Sequence, residues 1–98
     1  MDMLEQLATV FDHRVRLTIG VLLARHGELS FSRMKELLQL TDGNLGAHLR
    51  KLEDAGYLTL RRDFVERKPV TWYGLTKEGK RTLKLHLHAL RTVIASAE

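Results

Sequence analysis

The hydrophobic period of this chain changes at Gly56. Before it, apolar residues recur every three or four positions; after it, "YLTLRRDFVE" and "VTWYGL" are rich in β-branched and aromatic residues and take a period of two. The chain has 98 residues, 44% of them hydrophobic, which is enough for one core and one small domain spanning residues 1–98. Helices on one side of Gly56 and a β-hairpin on the other must therefore share that core. The hairpin is expected over residues 57–75, turning at "RKP", with Arg61, Arg62, Arg67 and Lys68 making its tip basic.

The helical part divides at its capping residues. Leu4, Leu7, Ala8 and Phe11 fall at i, i+3, i+4 and i+7, predicting a first helix over about residues 2–11. Asp12 is the expected cap of a second helix carrying Val15, Ile19, Leu22 and Leu23, which stops near Gly27. "LSF" at 29–31 allows one short strand. Ser32 is the expected cap of "RMKELLQL", with Met34, Leu37 and Leu38 facing inward. A tight connection, about residues 39–42, leads into a basic helix over 43–54, so the two form a helix-turn-helix. Thr76 then caps a long last helix, about 77–97, with Glu78 in its first turn and Leu83, Leu87, Leu90, Ile94 and Ala97 spaced as a coiled-coil-like seam.

Charge is distributed unevenly. Residues 1–40 carry five basic and five acidic side chains, so the whole formal charge of +4 falls on residues 41–98. That asymmetry favours an anionic partner, nucleic acid first. The chain has no cysteine, which removes disulfides, thiolate metal sites and cysteine nucleophiles. Without a basic N-terminal region or an apolar run of membrane-spanning length, a cytoplasmic protein with no membrane partner is expected.

The segment "TDGNLGAHLRKLEDAG" raises a specific question. Leu45, His48, Leu49 and Leu52 make an inward stripe, yet Gly43 and Gly46 each cost the helix roughly 0.8–1 kcal/mol relative to alanine. Two readings are open. In one, the glycines let the backbone approach DNA closely; in the other, Gly43 serves the turn and Gly46 packs against the neighbouring helix. The first reading makes Asp42, Gly43, Asn44, Gly46, Ala47, Arg50 and Lys51 the DNA-facing set. Asn44 and Arg50 are of the types that contact adenine and guanine edges, and Lys51 suits a phosphate. The basic hairpin likewise has an ordinary alternative, protection of an edge strand.

These motifs together resemble the winged-helix DNA-binding domains of MarR and ArsR transcriptional regulators. "DHRVRLTIGVLL" looks like their opening core helix, "LSFSRMKELLQLTDGNLGAHLRKLEDAGYL" like their helix-turn-helix, and "YGLTKEGK" like the segment after the wing. The expected fold is mainly α with a small β-hairpin, a winged helix-turn-helix of order α-α-β-α-α-β-β-α with a long C-terminal helix. The resemblance implies a homodimer on pseudo-palindromic operator DNA, with a recognition helix in the major groove and the wing on the backbone or minor groove. The apolar faces suggest the interface: Leu4, Leu7 and Phe11 of the first helix, and Leu83, Leu87, Leu90 and Ile94 of the last.

Other chemistries find less support. His86 and His88 lie on different sides of one helix, and His48 reads as a core residue, so no metal site and no cofactor are expected, a metal-sensing site at a dimer interface being the alternative left open. Asp12, His13, His26, Ser30 and Ser32 supply acid, base and nucleophile types without any catalytic spacing, so no catalytic residue is assigned. The expectation is a sequence-specific DNA-binding transcriptional regulator, a repressor, partnered by double-stranded DNA and by itself. A small-molecule effector would have to bind near the dimer interface. The alternative is a winged-helix protein-interaction module, which would suit a wing whose basic residues pair with Asp63 and Glu66.

Overall fold

A computed structural model describes residues 3–98. The elements run α1 (Met3–Leu7), α2 (Arg14–His26), β1 (Glu28–Ser30), α3 (Phe31–Leu38), α4 (Asp42–Asp54), β2 (Leu58–Val65), β3 (Lys68–Leu75) and α5 (Lys77–Ala97), the order expected from the sequence. The sheet is antiparallel with strand order β1-β3-β2. Because β1 pairs only with Trp72–Gly74, the outer half of the β2–β3 hairpin projects as a two-stranded wing.

Side chains from every layer fill one core. Ile19 and Leu23 of α2, Met34 of α3, Leu45, Leu49 and Leu52 of α4, Leu58 and Leu75 of the hairpin, and Leu83 of α5 are all buried there. Phe11 completes it. Its ring stacks on Tyr57 at 5.4 Å between centroids and meets the edge of His86 at 6.4 Å. Leu37, expected to face inward, is exposed, while Met34 and Leu38 carry the contact of α3 with the core.

Several boundaries differ from the sequence reading, for local reasons. The first helix ends at Leu7, because the chain then turns at Thr9 to bring Phe11 into the core; its expected start at residue 2 lies outside the described residues. The cap of α2 is His13 rather than Asp12: His13 is the extended residue, and its Nδ1 accepts the Val15 N–H at 3.2 Å. Ser30 rather than Ser32 caps α3, accepting from the Arg33 N–H at 3.1 Å, so Phe31 starts the helix instead of ending a strand. Thr41 caps α4 and Thr76 caps α5.

The hairpin turn also shifts. It is Glu66–Arg67, with φ of 52° and 67°, and Lys68 and Pro69 belong to β3. Two successive left-handed residues form the tight hairpin turn that matches strand twist.

Two histidines fix the helices around the core. The Thr9 hydroxyl accepts the Phe11 N–H and lies 3.0 Å from Nδ1 of buried His86, which ties the turn after α1 to α5. On the other side, Arg16 Nη1 donates to His48 Nδ1 at 3.1 Å while its Nε donates to the Val10 carbonyl at 2.7 Å. His13 packs on His48 with ring centroids 4.6 Å apart. This cluster sets α4 on the N-terminal end of α2. His48 is half-buried, so its core assignment holds in part, with one nitrogen engaged by Arg16.

Both imidazoles are held below their ordinary pKa. Burial is the main cause for His86, opposed by the Asp12 carboxylate and the Gln6 carbonyl. Burial again leads for His48, reinforced by His13, Arg16 and Lys51. The unfolded imidazole, titrating near ~6.5, binds a proton that the folded one resists, so this stability is present above that pH and is lost as pH falls below it. Urea unfolding should therefore give a lower ΔG at pH ~5.5 than at pH ~7.5. Stability that is level or rising over that window would contradict the assignment.

A second prediction concerns Gly79. A Cβ there would collide with the Tyr57 carbonyl, at the crossing of α5 and the foot of the wing. Gly79→Ala should cost about 1–3 kcal/mol in the same unfolding measurement, despite alanine's better helix propensity. An unchanged midpoint would mean that α5 does not approach the wing this closely.

Candidate nucleic-acid interface

The outer surface of α4 lacks a side chain at two positions, Gly43 and Gly46. Beyond its chain neighbours and the helix's own nearby backbone, neither Gly43 nor Gly46 has an atom within 4 Å of where a Cβ would stand, and neither has a positive φ. Internal packing therefore does not require glycine at either position, and Gly46 does not pack on a neighbouring helix. Around them, Asn44, Ala47, Arg50 and Lys51 are exposed, while Leu45, Leu49 and Leu52 on the opposite stripe are buried. Thr41 Oγ1 accepts the Asn44 N–H at 3.1 Å and anchors the first turn. Asp42 is exposed but paired, its carboxylate 2.9 Å from Lys35 Nζ, which offsets a negative charge at the end of the helix that would face phosphates.

The wing's basic residues separate by strand alternation. Leu58, Leu60, Arg62 and Phe64 share the face that carries Leu75, Tyr73, Thr71 and Pro69 of β3, and Arg61 and Asp63 lie on the other. Arg62 meets α4 in a groove of about 240 Å³ lined by Gly46, Leu49, Arg50, Glu53, Leu60 and Tyr73. The Tyr73 hydroxyl is held above its ordinary pKa by burial and by Glu53, with Arg62 opposing. Arg62 and Arg50 thus stand at one groove between α4 and the wing.

Arg61 belongs elsewhere. Its guanidinium reaches Glu28 at 3.1 Å and Asp63 at 2.9 Å and lies 5.7 Å from the Trp72 ring centroid, pinning the foot of the wing to β1. Hydrogen bonding to Glu28 is the leading cause of its raised pKa. Arg62, Arg67 and Lys68 make no ion pair among the described residues. Glu66, in particular, leaves the basic tip unpaired.

Of the residues expected at a dimer interface, two are used within the chain. Phe11 and Leu83 lie in the domain's own core and offer nothing to a partner. Leu7, Leu87 and Leu90 are half-buried, and Leu4 and Ile94 are exposed, at 76% and 59%. Leu85 and Val93 of α5 are also exposed, but Leu85 lies on the side of the helix opposite Ile94. No three His, Asp or Glu residues among the described ones are grouped to hold a metal ion, and no helix among them is long and apolar enough to cross a membrane.

Sequence reasoning missed Tyr73 and Leu60 as partners of the α4 surface, Glu53 as the α4 residue beside them, and Phe64 at the wing. The signal was present: once Arg62 is assigned to one face, a period of two assigns residues 60 and 64 to it as well.

Comparison with known proteins fits this geometry. Residues 15–94 match the family described as "Winged helix DNA-binding domain". An uncharacterised protein of Methanocaldococcus jannaschii is 32% identical over 81 residues, 83% of this chain and 88% of its own length. The structure of a transcriptional regulator homologue from Pyrococcus horikoshii superposes with a TM-score of 0.90 at 30% identity, covering 100% of this chain and 99% of that one. Bacillus subtilis PadR, solved in complex with operator DNA, is similar at a TM-score of 0.65 and 27% identity, over 74% of this chain and 46% of its own. The resemblance read from the sequence motifs is borne out by these matches. The chain belongs to the winged helix DNA-binding domain family and has the MarR-like fold of transcriptional regulators.

Proposed function

We propose that the chain is a homodimeric, cytoplasmic transcriptional repressor that binds a pseudo-palindromic operator through α4 and the wing. The observation that carries this reading is the open space over Gly43 and Gly46, beside a groove shared by Arg50 and Arg62. A helix that forgoes two stabilising methyl groups with no internal reason has an external one, the close approach of a backbone or base edge. In this account Asn44 and Arg50 read base edges, Ala47 meets a thymine methyl, Lys51 and Arg67 hold phosphates, and Arg62 and Lys68 border the strand between helix and wing. Asp42 acts through Lys35 and the helix end rather than on DNA, and Arg61 positions the wing without contacting DNA.

Two copies joined through the exposed faces of α1 and α5 would present two recognition helices to half-sites ~10 bp apart, about one helical turn. Leu4, Leu7, Leu87, Leu90 and Ile94 are the proposed contacts. Sedimentation at micromolar concentration should give twice the 11.3 kDa chain mass, and Ile94→Asp should lower it toward the monomer. A clean monomer for the parent chain would sink the dimer.

The reading is tested by selection from a random-sequence duplex pool, with affinity for the best site and for bulk DNA followed from ~50 to ~200 mM salt. An inverted repeat bound ~10³-fold or more over bulk DNA is expected. The rival reading, a protein-interaction module, gains little from the wing, since among the described residues only Arg61 of its basic side chains is paired. No enrichment, with weak binding that vanishes in salt, would favour that rival.

Two substitutions separate the roles. Gly46→Ala should raise stability by about 0.8–1 kcal/mol, because the methyl meets nothing, and yet weaken operator binding. Arg50→Ala should cost about 1–3 kcal/mol at one base position, whereas Arg67→Ala should weaken all sequences alike and reduce the salt slope by about one. A Gly46→Ala variant that gains stability and binds as before would remove the argument from the bare helix.

A further inference from the structure

We propose that Phe64 and Pro69 form an apolar wedge at the end of the wing, which enters the minor groove of bound DNA and loosens the stacking of one base step. This rests on the DNA-binding reading above and adds to it a residue pair that the basic wing does not account for. Phe64 is 71% exposed, and its cross-strand partner is Pro69. In a hairpin closed by a two-residue turn, the pair next to the closing pair falls at a non-hydrogen-bonded site, where opposed side chains come closest and proline's missing N–H matters least. The two apolar side chains therefore stand together.

Their face is the one that looks along the DNA-binding side. Leu60 and Arg62, on the same face of β2, line the groove with Gly46 and Arg50 of α4. Phe64 stands two residues further out, roughly 7 Å beyond Arg62 at the rise of a strand. With α4 in the major groove, that extension carries the ring across the adjacent phosphates to the minor groove. The surroundings suit DNA better than a protein or lipid contact, because Arg62 on the same face and Arg67 at the turn, neither of them ion-paired among the described residues, are the ring's basic neighbours along the strand. Glu66 and Arg67 are both held in the left-handed region at the turn, a conformation glycine would adopt without strain. The side chains at the tip are thus retained against a local preference. Phenylalanine and proline are among the types that unstack base steps from the minor groove, and such insertion bends the duplex.

The test uses the full chain and the best duplex recovered from a random pool, end-labelled with a fluorescent pair to read bending. The parent protein should shorten the end-to-end distance and enrich flexible pyrimidine–purine steps outside the major-groove contacts. Phe64→Ala should lose the bend and the step preference and bind about tenfold more weakly with an unchanged salt slope, while Phe64→Leu keeps most of both. Phe64 is outside the core, so its truncation leaves the fold intact, and a melting curve matching the parent's checks this.

Phe64→Ala that binds and bends like the parent, while Arg50→Ala is impaired, overturns the wedge and leaves the DNA-binding reading standing. A reduced salt slope in Phe64→Ala also overturns it, because the ring would then be holding the basic residues in place. If Phe64→Ala leaves DNA bending intact and changes only the sedimentation of free protein, the tip is a contact between copies. Failure of the parent itself to select any duplex would overturn both readings together.

Discussion

The ring of Phe11 lies at the junction of the whole domain, fully buried on Tyr57 at the foot of the wing, against the edge of His86 on α5, and against the bare face of α2 at Gly20. A Cβ at Gly20 would stand 2.7 Å from that ring, so the glycine is what lets α2 and the turn after α1 close together. The same turn carries Thr9, whose hydroxyl links the Phe11 backbone to His86. Helix α4 is then set by its leucine stripe below and by the Arg16–His48 contact at its side. Aromatic burial, two hydrogen-bonded imidazoles and one close helix approach thus decide where the outer face of α4 points.

The glycines divide by what surrounds them. At Gly20 and Gly79 a side chain would meet an aromatic ring or a backbone carbonyl, and the absence of a Cβ serves packing. At Gly43 and Gly46 there is only open space. Helix propensity disfavours glycine at Gly20 and Gly46 alike, so the difference between those two lies in tertiary context. A residue that weakens its own helix and supports nothing inside the domain marks a surface shaped for something outside it.

Charge is arranged with the same division. Arg61 is held at the foot of the wing by Glu28 and Asp63, and Lys35 covers Asp42, whereas Arg62, Arg67 and Lys68, further out, have no ion pair among the described residues. Periodicity alone disclosed the element order, because the leucine stripes and the change at Gly56 are local signals. The cap of α2 was less legible: Asp12 and His13 can both accept an N–H, and the choice depends on how the chain enters from Phe11. The pairing of Arg61 needed the register of β1 on β3, which no local window contains. Phe11 and Leu83 could be assigned to helix faces from sequence, but whether those faces turn to the core or to a partner is a tertiary fact.

The central claim is that the bare face of α4 and the outer wing form one DNA-contacting surface. Its most direct test is a titration of the 15N-labelled chain with a selected duplex, followed by amide resonances. The account predicts the largest shifts at the Gly43, Gly46 and Arg50 amides and through Arg62–Lys68, with those at the foot of the wing and the middle of α2 little changed. Shifts confined to α1 and α5, or spread over α3 while Gly43 and Gly46 stay fixed, would contradict it.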